Sequence, residues 1–152
     1  MTEDTAATTA VPGQREPDPA RAGRETADHV KVCLPADGAY LSVLRTATAG
    51  LAARLDFTLD EIEDLRIAID EACAMLLAQA IPGTDLECSF ELGADEVTIT
   101  VAVTAAQARM PARDTFAWTV LSALAGSVDS RLGPDDRVAI MLQKRRGVSG
   151  SG

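Results

Sequence analysis

Apolar residues recur along this chain in two rhythms, and the changes of rhythm mark out its elements. In "HVKVCLPA", Val30, Val32 and Leu34 alternate with His29, Lys31 and Cys33, the period of two that gives a strand one apolar face. Pro35 ends that strand. In "YLSVLRTATAGLAARL" the apolar positions move to steps of three and four, at Leu41, Leu44, Thr48, Leu51 and Leu55, which predicts an amphipathic helix weakened slightly by Gly50. A second helix is predicted over "DFTLDEIEDLRIAIDEACAMLLAQAIPG" and runs to Pro82-Gly83, with Leu59, Ile62, Leu65, Ile69 and Leu76 as its buried stripe. Thr58 followed three residues later by Glu61 is a capping box. Asp60, Glu61, Glu63 and Asp64 suit the positive end of the helix dipole.

The period of two returns in "LECSFEL" and "EVTITVAV", two strands joined by the short turn "GAD". "ARMPARD" is a breaker-rich loop, and "TFAWTVLSALAG" a third helix stopped by Gly126, with Phe116 and Trp118 expected in the core. "SVDSRL", "GPDD" and "RVAIMLQK" form a last hairpin. The order β–α–α–β–β–α–β–β, rich in hairpins, predicts an α+β two-layer sandwich: a mainly antiparallel sheet with helices on one face. Residues 1–28 carry Ala, Thr, Pro, Gly and charge with almost no large apolar side chain, too little to offset ordering entropy, and are expected to be a disordered tail. The folded domain is expected over 29–145, and 146–152 as a flexible end.

Composition narrows the function. The formal charge of −9 argues against a nucleic-acid partner, which needs cations to displace phosphate counterions, and permits a basic protein partner. Aromatics are 3% of the chain, so Leu, Val, Ile and Ala must build the core. No apolar run approaches the ~20 residues of a membrane helix, and the start "MTEDTAATTAVPGQREPDP" is no secretory signal, so a cytoplasmic protein away from the membrane is expected. The cysteines Cys33, Cys73 and Cys88 are widely spaced and His29 is the lone histidine, so no zinc site is expected and the thiols are read as small buried hydrophobes.

One stretch has further content. A first strand, a helix, then "DFTLDEIEDLRIAIDEACAML", a hairpin, a loop, and the ending "TFAWTVLSALAGSVDSRL" together resemble the RsbW-like bacterial anti-sigma factors that are also serine protein kinases. That group lies in the GHKL superfamily of ATPases, with histidine kinases and gyrase. Over about 29–145 the resemblance implies the Bergerat, histidine-kinase-like ATPase fold, ATP with magnesium, and a homodimer. It implies two protein partners: an alternative sigma factor held inactive, and a STAS-type anti-anti-sigma protein phosphorylated on serine.

Three motifs carry the nucleotide in that group. The first, Glu-x-x-x-Asn on the second helix, sets a general base and a magnesium ligand on one helix face. Here Glu71 matches the base, but the Asn position falls on Met75, whose thioether is a poor ligand for a hard cation. The second is Asp-x-Gly-x-Gly after the hairpin, for the adenine. Val103 stands about where the Asp belongs, and no glycine follows before Met110. The third is a Gly-rich turn that meets phosphate with backbone N–H groups. Here it is "ARDTFAW", where Arg113 could still pair with an anion.

With all three motifs altered, nucleotide binding is expected to be weak or absent, and no metal or cofactor is expected. Glu71 is then either the remaining catalytic base or a structural acid paired with Arg66 or Lys144. Met75 is either core filler or a plug in the nucleotide space. Arg45 lies near where the group places a basic residue that meets its partners, and is either that contact or an ordinary exposed arginine. Leu41 and Leu44 flank it as candidate anchors, with Tyr40. The expected function is an anti-sigma regulator of transcription that works by binding and is released by the anti-anti-sigma protein. The alternatives are an active ATP-dependent serine kinase with Glu71 as base, and a scaffold of the same fold with no sigma factor.

Overall fold

A computed structural model describes residues 28–147. The expected tail therefore lies outside the described residues except for Asp28, and residues 148–152 of the expected flexible end do as well. Strand β1 (Asp28–Pro35) leads through a single 3-10 turn at Gly38–Tyr40 into helix α1 (Leu41–Arg54) and helix α2 (Leu59–Leu77). The hairpin β2 (Asp85–Leu92) and β3 (Glu96–Thr104) follows, then helix α3 (Phe116–Leu124) and the hairpin β4 (Ser127–Gly133) and β5 (Arg137–Arg145). The sheet order is β1-β2-β3-β5-β4. Every neighbouring pair is antiparallel; β2–β3 and β4–β5 are hairpins, while β1–β2 and β3–β5 are joined by longer, helix-containing connections.

Alternation decides which face is covered. Leu86, Cys88, Phe90 and Leu92 on β2, Val97, Ile99, Val101 and Val103 on β3, and Val138, Ile140 and Leu142 on β5 are buried. They form one core with Leu44, Leu65, Ala68, Ile69, Ala72, Cys73 and Leu76 of the helices. The intervening Glu87, Ser89, Glu91, Thr98 and Thr100 are at most half-buried, giving the solvated second face usual for an antiparallel sheet. The two-layer α+β sandwich expected from the sequence is present.

Local chemistry sets the helix ends. The Thr58 side chain accepts from the Glu61 amide while the Glu61 carboxylate accepts from the Thr58 amide, so the capping box closes reciprocally. In α1 the buried Thr48 hydroxyl is satisfied by donating to the Leu44 carbonyl at 2.8 Å. The expected end of α2 at Pro82-Gly83 is corrected: the helix stops at Leu77. Ala80 is drawn into a bridge with Ala105, and the Ile81 amide donates to Thr104, so the sheet takes these residues before Pro82 can act. Gly83, at φ 87, shapes only the turn into β2. Gly126 also acts differently from expectation. Ala125 has already left the helix at ψ 154, and a side chain at Gly126 would put Cβ 3.0 Å from the Gln143 carbonyl, so close backbone approach requires the glycine.

Several burial expectations are corrected. Leu59, in the expected stripe of α2, is 84% exposed at the first helical position, and Phe116, first in α3, is 83% exposed. Both precede the first full turn, where the chain has not yet descended onto the sheet. Cys33 is exposed, because β1 directs it to the open face, whereas Cys73 and Cys88 are buried. Burial pushes the Cys73 thiol up to about 12, with the nearby Asp70 charge adding to the effect, and burial pushes Cys88 up as well, so neither is a thiolate at neutral pH. The chain also stays bonded past the expected boundary at 145. The Arg146 amide donates to Asp95, and the Gly147 amide donates to the Glu61 carboxylate at 2.7 Å.

Candidate functional site

Helices α1 and α2 pack side by side on the sheet, and their junction holds two of the residues singled out by sequence. Arg45 lies one turn inside α1, and Asp70 and Glu71 lie midway along α2. The Arg45 Nε donates to both oxygens of Asp70, at 2.8 and 3.0 Å, joining the helices across 25 residues of sequence. Each side chain keeps a little over a third of its surface exposed, 37% and 39%. Neither Nη group of Arg45 bonds to a described residue. The carboxylate in the middle of α2 that pairs with a neighbouring helix is therefore Asp70, not Glu71.

Glu71 is half-buried and, among the described residues, has no hydrogen-bond or ion-pair partner. Its expected partners are engaged elsewhere. Arg66 pairs with Glu63 at 3.2 Å, and Lys144 donates to the Leu124 carbonyl at 2.8 Å with Asp64 at 3.9 Å. The structural role expected for Glu71 through those two cations is thus corrected.

The anchor patch at the start of α1 is also corrected. Leu44 is fully buried in the core and Leu41 packs partly against it, because the helical period turns both toward the sheet. The exposed apolar side chains near Arg45 are Tyr40 and Val43, at 44% and 47%, and Ile67 on α2 at 39%.

Two of the positions expected to hold a nucleotide are packed in or against the core. Met75, half-buried, packs on the core from α2. Val103 is fully buried on β3, where a carboxylate would have no water. Arg113, considered as an anion ligand, is engaged at one of its three guanidinium nitrogens. Its Nη2 donates to Asp129 at 2.9 Å and to the Ser130 hydroxyl at 3.1 Å, and its guanidinium lies 4.8 Å from the ring centroid of the buried Trp118. The Ser130 hydroxyl in turn donates to the Met110 sulfur at 3.4 Å.

The same loop is held at its other end by Gln79. The amide nitrogen of that side chain donates to the Arg109 carbonyl and its oxygen accepts from the Arg109 amide, at 2.8 and 2.9 Å. The loop between β3 and α3 is therefore clasped twice. A hollow of about 330 Å³ does exist, but Glu91, Thr98, Thr100, Asp129, Arg131 and Met141 are among its lining residues, which places it on the open face of the sheet. Glu71, Met75, Val103 and Arg113 do not line it. These residues do not fit magnesium-bound ATP: a thioether stands at the expected metal-ligand position and the expected adenine-reading position is core, while the cation near the phosphate turn is tied to β4 by one nitrogen.

Asp70, Gln79, Asp129 and Ser130 were not legible as site residues. Asp70 could be flagged as a charge in an apolar stretch, but its partner lies 25 residues away. No spacing rule connects two helices of unknown packing.

Comparison with known proteins agrees with this architecture. No family model matches the chain. It is 39% identical over 57 residues to the serine-protein kinase RsbW of Bacillus subtilis, which covers 38% of this chain and 36% of that protein. It is 32% identical over 90 residues to the anti-sigma-F factor RsbW of Mycobacterium tuberculosis, which covers 59% of this chain and 54% of that protein. The match thus spans about half or less of these curated relatives' own lengths. A solved structure of the RsbU and RsbW domains of a Mycobacterium tuberculosis protein superposes with a TM-score of 0.58 at 14% identity, over 78% of this chain and 32% of that one. No described helix is long and apolar enough to cross a membrane. Over part of its length this chain is similar in sequence to RsbW serine-protein kinases and to an anti-sigma-F factor RsbW, and its two-layer sandwich is the fold seen in an RsbW-containing structure.

Proposed function

We propose that this chain is an anti-sigma regulator that works by binding, with residues 29–145 as the active domain. It holds an alternative sigma factor, the partner class named in the relatives' own description, and releases it when a STAS-type anti-anti-sigma protein competes. The protein acts in the cytoplasm, as a homodimer. Arg45 contacts the partner, with Tyr40 and Val43 beside it in place of Leu44.

The observation that carries this reading is the contrast between a filled nucleotide region and an open helix junction. Met75 and Val103 supply no ligand for magnesium or for the adenine amino group, and Arg113 is tied to Asp129 and Ser130. Arg45, partly exposed, has no partner for its Nη edge among the described residues. Protein recognition needs a few anchors and complementary charge, not a metal ligand.

Two titrations test it. Calorimetry of the full chain with magnesium-ATP is expected to give no binding heat. Titration with a purified sigma-F-type factor from the same genome is expected to give a saturable complex. Binding of some other regulator and of no sigma factor would convert the reading to a scaffold of the same fold.

A second reading, the serine kinase, is favoured by one observation: Glu71 is half-buried with no partner among the described residues, at the position the resemblance gives to a base, in a chain similar to proteins named serine-protein kinases. Phosphoserine appearing on the anti-anti-sigma protein in magnesium-ATP, and abolished by Glu71→Ala, would establish it over the first.

A further inference from the structure

We infer that Asp70 is a positioning residue for partner recognition: it fixes the Arg45 guanidinium so that its Nη edge is offered to a carboxylate on the partner protein. This rests on the proposed role of Arg45.

A guanidinium has five N–H donors in a rigid plane. Here only the Nε–H is used, shared between the two Asp70 oxygens at 2.8 and 3.0 Å. The four Nη hydrogens bond to no described residue, and 37% of the side chain is exposed. Asp70 therefore grips the arginine at its inner nitrogen and leaves free the fork that binds a carboxylate bidentately. A long side chain ordered in advance loses less freedom on binding.

The carboxylate is called for by the local cation: on a chain of net charge −9 the partner surface as a whole is expected to be basic, and Arg45 is the point where a partner carboxylate is matched. Ile67, one turn before Asp70, and Tyr40 at the start of α1 are exposed at 39% and 44%, apolar surface beside that cation.

Two other roles for Asp70 make different predictions. A mask would compete with the partner for Arg45, so removing Asp70 would tighten binding. A simple strut between helices would act whether or not Arg45 remained.

The test is a double-mutant cycle on the full chain, read by surface plasmon resonance against the purified sigma-F-type factor of the same genome, with thermal melts as a folding control. Asp70→Asn is expected to weaken binding about three- to tenfold. Asp70→Glu, which keeps the carboxylate, is expected to retain most of the affinity. Arg45→Ala is expected to weaken binding further, and Asp70→Asn added to it to cause no additional loss. In the free protein the Arg45 Nε–H resonance, seen in ¹⁵N spectra, is expected to lose its hydrogen-bonded shift in Asp70→Asn.

Unchanged or tighter binding by Asp70→Asn, with Arg45→Ala impaired, overturns the positioning role and leaves the proposed function standing. An equal loss from Asp70→Asn with and without Arg45 marks a strut and overturns it too. If Arg45→Ala binds like the native chain, or the native chain does not bind, the proposed contact itself falls and this inference falls with it.

Discussion

Two arginine–aspartate pairs, Arg45 with Asp70 and Arg113 with Asp129, show how the same two side chains can be used in opposite ways. Both pairs are partly exposed, and both close at 2.8–2.9 Å. At the helix junction the aspartate takes only the Nε of Arg45, and the outer fork has no partner among the described residues. In the loop before α3, the outer nitrogen of Arg113 is the one consumed, by Asp129 and Ser130, and the guanidinium face lies over Trp118. The first arginine is held at its inner nitrogen, and the second at one outer nitrogen that ties its loop to β4. What distinguishes a recognition cation from a structural one is which edge remains unpaired, and the residue types alone do not carry that information.

The sharpest way to break this contrast is at its apolar support. Trp118→Ala removes a large buried ring, and about 3–5 kcal/mol of stability should be lost in denaturant unfolding. The Arg45 Nε–H resonance should be unmoved, and a shift there would mean that the two regions are coupled. Charge reversal follows in size. Arg45→Glu should weaken sigma-factor binding about a hundredfold, about 2.7 kcal/mol, since it leaves like charges facing each other. Arg113→Glu should change that affinity by less than about threefold, an upper limit set well below the tenfold step of 1.4 kcal/mol. Equal losses from the two reversals, measured by the same resonance assay, would erase the distinction.

Smaller effects sharpen it. Arg113→Ala should cost about 1 kcal/mol, an exposed ion pair plus one cation–π contact, read as a lowered melting temperature. Acid should act on the clasp and on the α2 cap. Hydrogen bonding from Arg113 and the Ser130 amide holds the Asp129 carboxyl below its ordinary value of 3.8. At Glu61 a little burial raises the carboxyl, but bonds from the Thr58 and Gly147 amides outweigh it and leave it below 4.5. A depressed carboxyl contributes stability that is present above its unfolded value and lost as pH falls through its folded one. Stability should therefore be flat near neutrality and begin to fall below about pH 4.5, and Asp129→Asn and Glu61→Gln should each flatten that fall in a melting series.

How far the sequence reaches differs from element to element. The strands β2 and β3 were legible because apolar residues alternate with Glu, Ser and Thr over most of their length, and β5 because Val138, Ile140 and Leu142 hold the same period; a period of two has one solution for which face is buried. The start of α2 was legible because Thr58 and Glu61 satisfy the terminal amides within four residues. Its end was not, because Ala80 left the helix for a partner 25 residues on in the chain. The exposure of Leu59 and Phe116 was missed for a related reason. Periodicity gives the face a side chain occupies, but not whether the first turn of a helix has yet reached the sheet. The departures at Met75 and Val103 were legible as residue types, but their packing against the core was not.

The sequence by itself determined the element order, the antiparallel two-layer class, the α2 cap and the resemblance to RsbW proteins. All of these are written in local periods, short-range hydrogen bonds or residue identity. Only the tertiary structure decided that Arg45 pairs with Asp70, that Leu44 is core, and that Arg113 is bound to β4 and Trp118. Those facts depend on which helix face meets which neighbour and which nitrogen points where. Such choices are made by packing among residues distant in the chain, and no local pattern encodes them.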